Sequence, residues 1–146
     1  MTTTGDRQST VMITGGAGYI GSWVVRRQLA AGNRVVVYDN LMYGGKSLMG
    51  VLGHPNLQLI QGDVRDPAAL AEAMRGVDNV VHLAAIVGEA ACDKSPDDTR
   101  AINFGGTQNV AAAARQNDVQ RMIFFSTCSS YGVQDTSQLA DENTQL

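Results

Sequence analysis

The feature that most constrains this chain is a glycine string set between a strand and a helix. Val11-Met12-Ile13-Thr14 is a short apolar run of strand type, Thr14-Gly15-Gly16-Ala17-Gly18-Tyr19-Ile20-Gly21 follows at once, and a helical pattern continues from Tyr19 to Ala31. Glycines stand at 15, 18 and 21, and G-x-G-x-x-G is also satisfied from Gly16. Such a string lets a chain leave a strand in a tight turn, bring bare backbone up to a diphosphate, and seat the next helix close against its sheet. The N-terminus of that helix then offers unpaired N–H groups to an anion.

The context of the string narrows its meaning. A second strand, Arg34-Val35-Val36-Val37-Tyr38, ends at Asp39, 18 residues beyond Gly21. A carboxylate at that distance accepts hydrogen bonds from the hydroxyls of an adenosine ribose, and it repels a 2′-phosphate. The pattern therefore favours NAD over NADP, a preference softened by the nearby Lys46. Gly45-Lys46-Ser47 resembles the end of a nucleotide-triphosphate loop, but the glycine required five residues before Gly45 is replaced by Asn40.

Strand-like and helix-like segments alternate along the rest of the chain. A short helix is expected near Ser47 to Leu52, a strand at Leu57 to Gln61, a helix at Pro67 to Arg75 and a strand at Asn79 to Leu83. A long helix from Pro96 to about Gln116 and a strand from Arg121 to Ser126 complete the series. Five strands with helical crossovers predict an α/β fold of the Rossmann type, a doubly wound parallel sheet covered on both faces. Asp66-Pro67 and Ser95-Pro96 each place a side-chain acceptor at an N-cap and proline at the first helical position. The expected organisation is a flexible tail at 1–9, one domain at 10–131, and a polar loop at 132–146.

Composition removes other classes of function. At 146 residues the chain suits one domain. Its net charge of -3, with no cluster of Lys or Arg, speaks against nucleic acid as the partner and leaves a small molecule. No segment reaches the ~18 consecutive apolar residues of a membrane span, and the polar N-terminus has no apolar leader, so a cytoplasmic protein without membrane contact is expected. Cys92 and Cys128 are too isolated to suggest a disulfide or a zinc site, and no metal is expected. His82 reads as a packed core histidine.

Six motifs, in this order, resemble the extended short-chain dehydrogenase/reductase family, whose familiar members are NAD-dependent nucleotide-sugar epimerases and dehydratases. They are Thr14 to Ser22, Asp39-Asn40-Leu41, Gly62-Asp63-Val64-Arg65-Asp66, His82-Leu83-Ala84-Ala85, Asn103-Phe104-Gly105-Gly106-Thr107, and Ser126-Thr127-Cys128-Ser129-Ser130-Tyr131-Gly132. The resemblance implies cofactor contacts from Gly15, Gly18, Tyr19, Ile20, Asp39, Asn40, Leu41 and Gly44. It further implies an adenine contact at Asp63 with Val64, a cofactor wall at Leu83, Ala84 and Ala85, and a loop-holding role for Asn103. Thr127 matches the catalytic Ser/Thr, whose hydroxyl would orient the sugar hydroxyl that is oxidised.

Two departures qualify what the resemblance implies. Where the family's dehydratases carry Asp-Glu after the catalytic Ser/Thr, this chain has Cys128-Ser129, which points to epimerisation or simple oxidation through a 4-keto intermediate. The family also uses a Tyr base with Lys four residues later, the ammonium lowering the phenol's pKa. The only lysines here are Lys46 and Lys94, preceded at that spacing by Met42 and Ala90, while Tyr131 is followed at that spacing by Asp135. The chain is thus expected to end before the dyad and to be inactive alone, with a non-catalytic NAD-binding sensor or docking module as the alternative. Loss of a neighbouring helix is expected to expose an apolar stripe with Ile102 and Val110 on the 96–116 helix, and with it a surface for homo-oligomers. The Val87 to Cys92 segment is expected to be a mobile loop.

Overall fold

The computed structural model describes residues 8–127 together with Tyr131 and Asp141. Five parallel strands, β1 (Thr10–Thr14), β2 (Arg34–Asp39), β3 (Leu57–Gln61), β4 (Asn79–His82) and β5 (Arg121–Phe124), lie in the order β3-β2-β1-β4-β5. Winding runs outward from β1 to β3, then returns across β1 to β4 and β5. The direction therefore reverses beside β1, and a crevice opens there at the carboxyl ends of β1 and β4.

The period-two alternation of the strands assigns each helix its face. Val11 and Ile13 of β1, Val35 and Val37 of β2, and Val81 of β4 point to one side, where they bury Val25 and Leu29 of α1 (Tyr19–Ala30) and Leu48. Met12, Val36, Tyr38 and Val80 point to the other side, against Leu70 and Met74 from the α2 region (Pro67–Ala73) and Val110, Ala113 and Ala114 of α5 (Thr107–Gln116). A turn of 3-10 helix at Lys46–Leu48 is all that forms of the short helix expected near Ser47 to Leu52. Asp66 caps α2 as expected, its carboxylate accepting from the amides of Ala68 and Ala69 at 3.1 and 3.0 Å.

Three expectations need correction. Val87 to Cys92 is not simply a loop: Gly88 turns the chain at φ 92, and α3 (Glu89–Lys94) follows. Its acidic first turn and basic last turn suit the helix dipole. Ser95 takes the N-cap position of α4 (Pro96–Arg100), with proline next, but its side chain accepts from no helix amide; as the one-residue joint between α3 and α4, it turns its hydroxyl to Asp98, donating to Oδ2 at 2.9 Å. The helix expected from Pro96 to Gln116 is present over that span, its middle at Ala101–Gly106 being π-helical between α4 and α5. Finally, Ile102 and Val110 form no exposed stripe, being 5% and 0% exposed, because both face the sheet. Exposed apolar side chains lie instead at Phe104 and along the edge of the sheet at Ile123, Phe124 and Phe125. Ile102 and Val110 therefore offer no surface for self-association.

The tail expectation for 1–9 falls mostly outside the described residues, but Gln8 donates to the Gly32 carbonyl and Asn33 accepts from the Ser9 amide. Most of 132–146 also lies outside them.

Two positions fix how the helical layer meets the sheet. Gly106 has no room for a side chain: an added Cβ would sit 2.5 Å from Cγ2 of Val64, a stiff neighbour. His82, 1% exposed, is held between Thr14 Oγ1 at 2.6 Å from Nδ1 and Thr107 Oγ1 at 2.9 Å from Nε2. It is a core histidine, as the sequence suggested, and burial lowers its pKa from 6.5 to about 4.

Gly106→Ala should therefore destabilise the fold by about 1–3 kcal/mol, read as a lowered midpoint in urea; an unchanged midpoint would count against this packing. The histidine makes a second prediction. The unfolded chain takes up a proton near pH 6.5 and the native state resists until about pH 4, so stability is complete above 6.5 and lost as pH falls toward 4. The total from this group is about 3 kcal/mol, most of it above the carboxylate range. Urea unfolding at pH 7.0, 5.5 and 4.5 reads the loss, and a flat profile would refute it.

Candidate functional site

A cleft of about 410 Å3 opens at the reversal of winding. It is lined by Gly15, Gly18, Tyr19 and Ile20 from the first turn and helix, Asp39, Asn40 and Gly44 after β2, Val64 after β3, and Leu83, Ala84 and Ala85 after β4. The volume and apolar character are those of small-molecule sites.

Its floor is the glycine turn. Gly15 stands at φ 71, and a Cβ there would lie 2.7 Å from the Ala84 amide nitrogen, so β1 and β4 can splay around the turn only if this residue is glycine. Gly21 meets the same limit from the helix side, since a Cβ would land on the Gly15 carbonyl oxygen. No side chain caps α1, whose N-cap is Gly18. The first amides of a helix have no intrahelical acceptor, so those of Tyr19, Ile20 and Gly21 are presented at the cleft as donors. Bare backbone beneath and an uncapped helix dipole beside it are the donor set that a diphosphate requires.

Asp39 closes one side of this floor. Its Oδ2 accepts from the Ala17 amide at 2.9 Å and its Oδ1 from the Leu41 amide at 2.8 Å, leaving further lone pairs on each oxygen for a ligand hydroxyl. The same carboxylate thereby ties the glycine turn to the loop after β2, where Leu41 adopts φ 58 and Gly44 φ 78. Leu41 itself does not face the cleft; its side chain packs partly buried against the core beneath α1. The strand-end carboxylate was legible from sequence, but its supports were not. Ser47 donates from Oγ to the Ala17 carbonyl at 2.5 Å, and Arg26 donates from Nη2 to the Ser47 carbonyl at 2.6 Å. The only available signal for them was a hydroxyl and a cation set among helix-type residues.

Asp63 is occupied by its own chain. Arg65 grips it with Nη2 on Oδ2 at 2.8 Å and Nε on Oδ1 at 3.0 Å, while Nη1 reaches Asp98 at 2.8 Å. The Arg65 hydrogen bond is the main reason that the Asp63 carboxyl sits below its ordinary pKa. Asp63 is not among the residues that line the cleft, whereas Gly62 and Val64 on either side of it are. The phenol of Tyr38, donating to the Asp63 carbonyl at 3.2 Å, is raised in pKa by burial first and by the charges of Asp66 and Asp63 next.

Asn103 also stands outside the lining but shapes it. Its Oδ1 accepts from the Ile86 amide and its Nδ2 donates to the Ile86 carbonyl, both at 2.8 Å. An amide side chain thus supplies the pairing that a neighbouring strand would give, and the segment after β4 is held along the cleft. It sits in the π-helical segment, a distortion often found at functional positions.

At the far end, Phe125 and Ser126 line the cleft, with the exposed Thr127 next in the chain. Cys128 and Ser129 lie outside the described residues. Ile86, Val87 and Phe125 contribute apolar wall that the motifs did not flag. Among the described residues there is no cluster of three metal-ligating side chains and no helix long and apolar enough to cross a membrane.

Comparison with known proteins agrees with this geometry. The chain is 36% identical over 125 residues to a UDP-glucose 4-epimerase of Lacticaseibacillus casei, covering 84% of this chain and 37% of that protein. It is 35% identical over 123 residues to a 3 beta-hydroxysteroid dehydrogenase/Delta 5-->4-isomerase of Mycobacterium tuberculosis, covering 82% and 32%. Among solved structures, the dTDP-glucose 4,6-dehydratase DesIV of Streptomyces venezuelae, with NAD and TYD bound, superposes with a TM-score of 0.88 at 34% identity. That match covers 94% of this chain and 45% of the other. The chain therefore spans between a third and a half of the length of these relatives. A family profile described as the NAD dependent epimerase/dehydratase family matches residues 11–146, and with the parallel sheet, the glycine turn and these relatives it shows that the chain belongs to that family.

Proposed function

We propose that this chain is the NAD-binding part of an enzyme that epimerises or oxidises a nucleotide sugar. The observation that carries the reading is the joining of Asp39 to the Ala17 amide, which sets a carboxylate beside the uncapped start of α1. In this reading the amides of Tyr19 and Ile20 bind the pyrophosphate and Asp39 accepts from the adenosine ribose. Gly62 and Val64 border the adenine, with Asp63 turned to it only as far as Arg65 allows. Ala84 and Ala85 bring small side chains, and Leu83 the end of β4, against the second ribose, and 10–131 is the cofactor-binding unit. Bound NAD would supply a hydride acceptor. The chain would contribute Thr127, whose hydroxyl holds the sugar hydroxyl in line with it.

Asp39 also favours NAD over NADP, because a 2′-phosphate beside a carboxylate already held by two backbone amides meets direct repulsion. The Cys128-Ser129 pair after Thr127 supports epimerisation or oxidation over dehydration. A second reading, a non-catalytic NAD-binding sensor or docking module, is favoured by one specific observation: no Tyr-x-x-x-Lys occurs in these 146 residues.

Calorimetric titration should show NAD binding at least tenfold tighter than NADP, a difference of about 1.4 kcal/mol. Asp39→Ala should weaken NAD about tenfold or more and erase the discrimination. Equal affinities in the unaltered chain would contradict the assignment of the carboxylate. The 146-residue chain, given NAD and UDP-glucose, should show no turnover; product formation would refute the requirement for a Tyr-Lys pair outside this sequence.

A further inference from the structure

Both nitrogens of His82 are engaged, and the protons in the surrounding contacts can be placed one by one. Thr107 Oγ1 lies 2.6 Å from the Asn103 carbonyl oxygen, which can only accept. A hydroxyl carries a single proton, so that of Thr107 is spent on Asn103, and its contact with His82 requires an N–H on Nε2. Thr14 gives the same answer from the other side. Its Oγ1 is approached by the amides of Leu83 and Ala84 at 3.3 and 3.4 Å, which use its lone pairs, so its proton goes to a bare Nδ1 at 2.6 Å.

The result is a directed chain of donors. It runs from the Leu83 and Ala84 amides through Thr14, His82 and Thr107 to the Asn103 carbonyl, and the Asn103 side chain then grips Ile86. Its two ends are the residues that form the wall of the cleft after β4, and Thr14 immediately precedes Gly15. Every link donates in the same sense, so each polarises the next. His82 touches no part of the cleft itself, and neither does Thr107.

We infer that His82, fixed as its Nε2–H tautomer, is a positioning residue for the dinucleotide: acting through Thr14 on one side and Thr107 and Asn103 on the other, it sets the Leu83 to Ile86 wall relative to the glycine turn. This rests on the proposed NAD reading only for its consequence in binding. The placement of the wall is a property of the chain without ligand.

The test uses the 146-residue chain with 15N-labelled histidine. Nitrogen chemical shifts should show His82 with a protonated Nε2 and a bare Nδ1; a protonated Nδ1 would overturn the inference, whatever any variant does. Thr107→Val keeps the shape and removes the hydroxyl, while Thr107→Ser keeps the hydroxyl. Amide hydrogen exchange at Ile86 should quicken about tenfold in Thr107→Val relative to Val80 in the sheet, and return to within about twofold in Thr107→Ser. NAD affinity should fall about fivefold in the valine variant and recover in the serine variant. Unchanged exchange at Ile86 in a folded Thr107→Val chain would sink the proposal. Should Thr107→Val fail to fold, the tautomer in the unaltered chain decides. Failure of the unaltered chain to bind NAD would refute the functional reading, with the exchange and tautomer results still judging the positioning role.

Discussion

The contact between Gly15 and the start of the segment after β4 is the constraint around which this fold is arranged. With φ 71 and space for nothing beyond a hydrogen, Gly15 lets the backbone at Leu83 and Ala84 close on the first turn. Beside that approach Thr14 and His82 meet across neighbouring strands, paired residue to residue in the β1–β4 register. Packing and polarity therefore meet at one place. The two faces of the sheet bury mainly aliphatic residues, with Tyr38 and two methionines, while the buried His82 stands where the reversal of winding leaves a crevice.

Much of this was written in the sequence because its signals are local. The β-branched run of β2, the proline and Asp66 cap of α2, and the glycine spacing each depend on a few consecutive residues, and the structure contains them with boundaries shifted by little. The spacing brings Asp39 beside the glycine turn for the same reason, a helix and a strand of ordinary length separating the two.

What could not be read depends on partners distant in the chain. Ser47 supports the glycine turn from 30 residues away and is itself held by Arg26, 21 residues from it, with nothing in their own neighbourhoods to mark them. Ser95 stands at the N-cap of α4 but spends its hydroxyl on Asp98, and α3, which ends directly before it, is too short to show a helical period. Ile102 and Val110 carried the pattern of an apolar face, but the pattern cannot say whether the sheet or an absent helix covers that face; the sheet does. Asp63 is an exception, since the residue that holds the carboxylate expected to face an adenine is Arg65, only two positions on.

The edge of the sheet at β5 has a practical consequence. Among the described residues β5 pairs only with β4, and Ile123 and Phe124, followed by Phe125, are each about half exposed. A parallel strand with one unpaired ladder and apolar side chains is a template for any extended segment that meets it, and no proline or lysine blunts this one. Where that edge is left uncovered it favours sheet-to-sheet association, and Ile123→Lys would oppose it without touching a residue that lines the cleft.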